Sequence, residues 1–347
     1  MNKPSFSYPV LQHPAPEASK EQAETLFSKW MEDGMFLKTL SSERDQNFLF
    51  KNKHERRFVL KVANTKEAFE VLDCQNKAME HLALNTSLNI PKVIPSLDDQ
   101  KVNQFEINNI KHYVRVLSYV EGVPVGDAKR PQSYKALYRN MGSFLGALGK
   151  GLSNFSHPGS KHKLLWDVRE TDSLFELLIC IKDQDKRALA KDALDYFVEN
   201  IKDKLEEVRT QVIHNDMNPD NLLVRQNNSD QVSGIIDFGD TVYTSLVNDL
   251  AVAAAYQTVK QENLLLGTRE LLLGYQETYP LTEDEIMLLP GLIVNRIAMS
   301  LIISEWRASE HPKNQEYILG SIDKTWEVLK TVITDDFSHT AGELNDL

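Results

Sequence analysis

Apolar positions change their spacing several times along the chain. Within Glu21–Trp30, Ala23, Leu26, Phe27 and Trp30 recur at helical spacing on one face. Between Phe36 and Val62 the runs shorten to Phe48-Leu49-Phe50 and Phe58-Val59-Leu60-Lys61-Val62, separated by the polar segment KNKHE, which predicts a hairpin. Ala68, Leu72, Met79 and Leu82 then mark the buried side of a helix reaching about Leu84, with Asn64 or Thr65 as its N-cap. Pro91 and Pro95 end that unit, and a strand candidate from His112 to Tyr119 runs into Val120-Glu121-Gly122.

From Ser133 onward the period becomes mainly helical, with candidates at residues 133–149 and 187–209. Short strand candidates interrupt it at Val212-Ile213, Leu222-Leu223-Val224 and Val232 to Ile236, the last two joined by a turn at Asn227, Asn228, Ser229 and Asp230. Helical spacing returns near Asp249 and again at 283–308 and 314–334, where Pro290 shifts or divides the first of these two helices. The order predicts an α+β, bilobal architecture: a Pro-rich tail (1–19), an N-terminal lobe of antiparallel strands and one helix (20–120), a hinge (121–126) and a larger, mainly helical C-terminal lobe (127–347). A chain of 347 residues is also long for one growing core.

Composition narrows the class. Fifty acidic against 39 basic side chains give a formal charge of -11, which argues against general affinity for nucleic acid or an anionic membrane. The only cysteines, Cys74 and Cys180, suggest two core thiols in a reducing compartment and no disulfide framework. His157 and His162 do not share a zinc-ligand spacing with them. The first twenty residues lack a charged start followed by an apolar run, and no uninterrupted apolar stretch approaches membrane-spanning length, so a cytoplasmic protein is expected. Oligomeric state is left open by the sequence.

The chemistry concentrates in two motifs. His214-Asn215-Asp216-Met217-Asn218-Pro219-Asp220-Asn221 reads HxDxxxxN, and Asp237-Phe238-Gly239 follows 16 residues beyond Asn221. Those spacings match the catalytic loop and metal-binding turn of kinases. Asp216 is the expected hydroxyl-positioning base, and Asn221 and Asp237 are the expected Mg2+ ligands, one through an amide oxygen and one through a carboxylate. Upstream, Lys61 ends a strand and is placed to meet the phosphates of ATP or GTP. Its acidic partner is sought among Glu67, Glu70, Asp73 and Glu80 on the following helix, with Asp73 favoured. Ser41, Ser42 and Gln46 fall on a polar loop suited to cover the phosphates, although that loop lacks a GxGxxG pattern. Tyr119, Val120 and Glu121 fall where a nucleotide base would lie.

On SERDQNFLF, FVLKVANT, VRVLSYVEG, VIHNDMNPDNLLV and GIIDFGDTVYTSLVNDLAVAAAY the chain resembles the aminoglycoside phosphotransferase and choline kinase family, more closely hydroxylysine kinases and the kinase domains fused to bacterial class III aminotransferases. The resemblance spans about residues 20–335 and implies a protein-kinase-like fold with magnesium-dependent phosphorylation of a small hydroxylated amine or amino acid. It implies the same roles for Asp216, Asn221, Asp237 and Lys61, and a bracing role for His214. The family form HGD is His214-Asn215-Asp216 here. Asp240, Tyr243, Trp166, Asp167, Arg296 and Trp306 are the substrate-pocket candidates, with Asp240 suited to an ammonium and Arg296 to a carboxylate. A hydroxylysine-like acceptor is favoured over homoserine, choline or an aminoglycoside. The alternative outside catalysis is a nucleotide-binding regulatory protein that keeps the fold without transfer.

Overall fold

The structure, a computed structural model, describes residues 8–42, 44–310, 319, 320 and 322–347. Its N-terminal lobe is built on β1 (Met35–Leu40), β2 (Gln46–Lys51), β3 (Arg57–Val62), β4 (Val93–Ile94), β5 (Asn103–Ile107) and β6 (Ile110–Ser118). They form an antiparallel sheet in the order β1-β2-β3-β6-β4, with β5 also pairing β6. In the β2–β3 hairpin Asn47 pairs with Lys61, Phe48 with Leu60 and Phe50 with Phe58. Period-two alternation therefore sends Phe48, Phe50, Phe58, Leu60 and Val62 into one apolar cluster. Asn47, Val59 and Lys61 face the cleft instead.

Helix α2 (Lys20–Phe27) covers the apolar face, after the short α1 (Pro9–Gln12). A capping box between Ser19 and Gln22 fixes where α2 begins, and the Phe27 and Phe50 rings stack with centroids 4.1 Å apart. The expected helix across the sheet is α3 (Phe69–Asn85), but it starts later than the composition suggested, with Ala68 at the cap position and no side-chain cap bond. Asn64 is not its cap: the Asn64 amide nitrogen reaches the carbonyls of Val10, His13, Pro14 and Arg44 at 3.3–3.4 Å. Strand β1 escaped the apolar reading because most of its side chains are exposed.

The hinge contains β7 (Val123–Pro124), which pairs with β9 (Leu222–Arg225) of the second lobe. That lobe adds α4 (Tyr134–Leu152), a 3-10 stretch over Val168–Cys180, α5 (Gln184–Asn200), β8 (Thr210–Ile213), β10 (Asn228–Ile235), β11 (Val242–Ser245), α6 (Val247–Gln261), α7 (Leu264–Gln276) and α8 (Glu283–Glu310). Helices Ile322–Val332 and Phe337–Asn345 follow. The helix expected at 187–209 stops at Asn200, giving way to a 3-10 turn at Asp203–Glu206 and then β8. The turn between β9 and β10 is tighter than expected, because Asn228 already belongs to β10. Residues 314–318 of the helix expected at 314–334 lie outside the described residues, as do residues 1–7 of the tail.

Close helix packing shapes this lobe. A Cβ on Gly142 of α4 would fall 1.9 Å from the Leu271 carbonyl oxygen of α7, so only glycine permits that approach. Pro290 sits inside α8 without ending it. Helix α8 is long and apolar enough to cross a membrane, but 89% of its most apolar window is buried in the protein, which makes it the core helix of this lobe. Cys74 is buried as expected, whereas Cys180 is only half-buried.

Candidate active site

The loop carrying His214–Asn221 joins β8 to β9 and is held from three sides. Asn221 donates from its amide nitrogen to Asp216 Oδ2 at 2.6 Å, and Asn218 donates to Asp216 Oδ1 at 3.0 Å. The Asn218 side-chain oxygen accepts from the backbone N–H of Asp220 and Asn221, at 2.8 and 2.9 Å. Behind the loop, Asp249 of α6 accepts the Asn215 N–H at 2.8 Å. His214 is buried against Phe238, with ring centroids 4.9 Å apart, and its Nε2 lies 3.2 Å from the Ile236 carbonyl oxygen. These contacts place His214 as a brace linking the two motifs.

Asn215 has φ 63°. Such a left-handed backbone favours glycine, and asparagine is among the few other residues that adopt it readily, which explains physically how an Asn can stand in HGD. Its side chain also reaches the Trp166 carbonyl at 3.3 Å.

Asp237 follows β10 at φ 58°, and its Oδ1 accepts the Gly239 N–H at 3.0 Å. Lys61 Nζ stands 3.5 Å from Asp237 and 3.7 Å from Asp45. Lys61 is therefore shared by Asp237 and by Asp45, on the loop between β1 and β2, and not paired with an acid of α3. Asp73 faces the other way and meets His157 at 3.2 Å. On α3 it is Gln75 and Asn76 that turn to the sheet, both accepting from Arg115, which sits opposite Lys61 on β6.

Two cavities meet at Lys61 and Asp237. The outer one, of about 520 Å³, lies between the lobes, with Val59, Leu117, Val120 and Leu223 as apolar walls and Ser41 and Tyr119 at its rim. This is a slot of the size and polarity that takes a nucleotide base and sugar. Glu121 turns outward to pair with Arg57, and Gln46 bonds the Ala18 backbone at 2.6 and 3.1 Å, so neither is among the residues lining it.

The inner cavity, of about 60 Å³, is lined by Ser42, Arg44, Asp45, Glu67, Asp216 and Asp240 as well as Lys61 and Asp237. Arg44 crosses between the lobes to Asp240 at 2.6 Å. A Cβ at Gly239 would stand 2.7 Å from the Arg44 guanidinium, so a side chain there would displace the tip of Arg44. Arg296 and Trp166 lie at an adjacent recess, the guanidinium 4.9 Å over the ring and bonded to the Trp166 carbonyl at 2.8 Å.

The remaining acceptor candidates sit apart from both cavities. Asp167 caps the 3-10 stretch, accepting from Arg169 N–H at 3.1 Å and Thr244 at 2.9 Å. Tyr243 bonds Thr210 at 2.7 Å, and Trp306 is packed in the core.

The electrostatics differ sharply between the two motif carboxylates. Desolvation deep in the cleft, then the neighbouring Asp240 and Asp237, raises the proton affinity of Asp216, opposed by Arg296. The Lys61 charge holds Asp237 well below the usual carboxylate range. Burial lowers His214 to about 4 and raises Asp249 to about 7. Asn218 and Asp249 were not singled out from the sequence. Asn218 carried a legible signal, an amide within the motif two residues past Asp216, whereas the brace from Asp249 depends on how α6 packs.

The donor chemistry fits a hard cation. With its nitrogen on Asp216, Asn221 keeps Oδ1 for a ligand, and the Asp237 carboxylate adjoins both cavities. Among the described residues no group of three or more His, Cys, Asp or Glu assembles a site built from protein ligands alone.

Fold, cleft and motif spacing define a two-lobed, small-molecule phosphotransferase. Residues 37–281 match the phosphotransferase enzyme family, and the chain belongs to that family. Hydroxylysine kinase of Mus musculus is 26% identical over 317 residues, covering 85% of this chain and 83% of the relative. That of Xenopus laevis is 25% identical over 347 residues, covering 93% and 92%. Among solved structures, a microcompartment-associated aminopropanol kinase superposes with a TM-score of 0.68 at 17% identity, covering 90% of this chain and 98% of its own. An amicoumacin kinase bound to AMP-PNP and Ca2+ gives 0.67 at 14% identity, covering 92% and 96%. These two likenesses establish the shared fold.

Proposed function

We propose that the chain is a magnesium-dependent O-kinase that moves the terminal phosphoryl group of ATP or GTP onto the hydroxyl of a small amine-bearing metabolite, with a hydroxylysine-like amino acid as the preferred acceptor. The observation that carries this reading is the inner cavity, where Asp216, oriented by Asn218 and Asn221, shares one space with Lys61, Asp237 and Asp240. The preference among acceptors rests on the names of the curated relatives.

In this reading the base and sugar occupy the outer slot and the phosphates extend toward Lys61. Asp216 accepts a hydrogen bond from the acceptor hydroxyl and aims its oxygen at the terminal phosphorus. The new P–O bond forms as the bond to the bridging oxygen of the nucleotide breaks, and the hydroxyl proton leaves by way of the Asp216 carboxylate. Magnesium held by Asn221 Oδ1 and Asp237 would offset charge on the transferring group. Lys61, held near Asp45 and Asp237, orients the phosphates. Arg44 and Asp240 shape the acceptor end.

The test is product formation, followed by mass spectrometry, across small hydroxylated amines with each nucleotide donor. Phosphorylated amino-hydroxy product that disappears in Asp216→Asn is expected. Nucleotide binding without phosphorylated product from any acceptor would replace this reading by a regulatory binding protein.

A further inference from the structure

The inner cavity does not end at Asp240. A second recess, of about 70 Å³, continues past Arg44, Glu67 and Gly239, which line both spaces. Its far side is formed by Tyr8, Pro9, Val10 and Leu11 together with His162, Lys163, Leu164 and Leu165, and Lys163 is paired with Glu170 at 3.3 Å. The segment Tyr8–Leu11 precedes residue 37, where the family match begins, yet it is tied to both lobes. Tyr8 donates its hydroxyl to Glu170 at 2.5 Å on the larger lobe, and the Asn64 amide reaches the carbonyls of Val10, His13 and Pro14 at 3.3–3.4 Å on the smaller one. Residues 8–14 of the stretch that reads in the sequence as a tail form a strap across the far side of this recess.

Two carboxylates at the junction, Asp216 and Glu67, have no ion-pair partner among the described residues, and Asp216 is hydrogen-bonded by Asn218 and Asn221. Asp240, the carboxylate the sequence suggested for an ammonium, is already matched by Arg44 at 2.6 Å. Lys61 is shared by Asp45 and Asp237. The Glu67 carboxylate lines both recesses and makes no hydrogen bond or ion pair among the described residues. Desolvation raises its proton affinity, opposed by the charges of Arg44 and Arg115, and a cationic ligand group would relieve it further.

We infer that Tyr8–Leu11 forms the outer wall of the acceptor site and that Glu67 receives an ammonium group of the acceptor there, while the hydroxyl lies at Asp216. The inference rests on the small-molecule kinase reading above and deepens it. The acceptor it selects carries its hydroxyl and an amine on one short chain, short enough to fit between Asp216 and the strap. Longer or N-substituted amines meet the wall.

The experiment uses the full chain and three acceptors, hydroxylysine and its two mono-N-acetyl derivatives, with steady-state kinetics on each. Wild-type protein should disfavour one derivative. Glu67→Gln should lose about 30-fold in kcat/KM on the free amino acid, mainly through KM, and lose nothing further on that derivative, as expected when one charge-assisted hydrogen bond is already missing. Glu67→Asp, which keeps the charge, should retain the discrimination. Tyr8→Ala, which releases the strap, should narrow the gap between free and acetylated acceptors by about fivefold. Circular dichroism and melting temperature check that each variant is folded. Equal losses of Glu67→Gln on all three acceptors, or no loss, would overturn the inference while leaving the kinase reading intact. Absence of any phosphorylated product from wild type with these acceptors would overturn both.

Discussion

The outer slot and the inner cavity adjoin, yet they are made from different materials. About 520 Å³ of the cleft combines apolar walls, from Val59, Leu117, Val120 and Leu223, with charged side chains, among them Lys38, Arg115, Asp127 and Asp220. The inner space is about 60 Å³ and is lined by seven charged side chains, Arg44, Asp45, Lys61, Glu67, Asp216, Asp237 and Asp240. On the reading proposed above, the larger, partly apolar space holds the common donor, and the small charged one selects among acceptors through the penalty for leaving a buried charge unmatched.

Breaking the chemistry of the inner space should have the largest effect. Asp216→Asn keeps the size of the side chain and its contact with Asn221, so kcat should fall about 1,000-fold with nucleotide affinity and melting temperature nearly unchanged, as read by steady-state kinetics and calorimetry. A drop of less than tenfold would remove Asp216 from its role. Asp237→Asn comes next, with an expected loss of about 100-fold and a weaker response of activity to added magnesium. An unaltered magnesium titration would argue that the cation is held elsewhere.

The comparison itself is sharpened by paired variants, one in each space. Asp240→Asn removes the carboxylate that Arg44 meets across the lobes and should raise the acceptor KM about tenfold while the nucleotide KM stays within twofold. Leu223→Ala widens the outer slot and should do the reverse, raising the nucleotide KM a few fold. If both variants moved both constants equally, the two spaces would be acting as one.

The smallest effect concerns stability beneath the loop. Burial raises Asp249 to about 7 from an ordinary 3.8, so the folded chain keeps a proton that the unfolded chain has lost, and stability falls as pH rises from about 4 to about 7. His214, lowered to about 4 from 6.5, stays neutral when the unfolded imidazole is protonated, so its share of stability rises over about pH 4 to 6.5. The two slopes oppose each other at up to about 1.4 kcal/mol per pH unit. In urea titrations, Asp249→Asn should leave stability rising with pH and His214→Asn should leave it falling. Parallel profiles for wild type and both variants would remove this compensation.

Much of the fold was legible because it is encoded over short distances. Alternation in the hairpin from β2 to β3 marks both its buried face and the cleft-facing Lys61, and both motifs lie within the 26 residues from His214 to Gly239. What was not legible depends on phase and long-range closure. Asp73 and Gln75 differ by about 200° around α3, so a choice between them requires knowing how the helix lies on the sheet. Arg44 and Asp240 are 196 residues apart, and no local pattern announces their meeting. Strand β1 carries too few buried positions to stand out, and Asn64, which has the composition of a cap, is used to hold the N-terminal segment.

Opposite the hinge, Arg44 to Asp240, Lys61 to Asp237 and the Gln75 amide to the Gly239 carbonyl at 3.3 Å fasten the lobes a second time. A cleft tied at its hinge and again at this turn behaves less like a jaw than like a buckle: separating the lobes would part three polar links, and the turn Asp237–Asp240 is the tongue that all three grip.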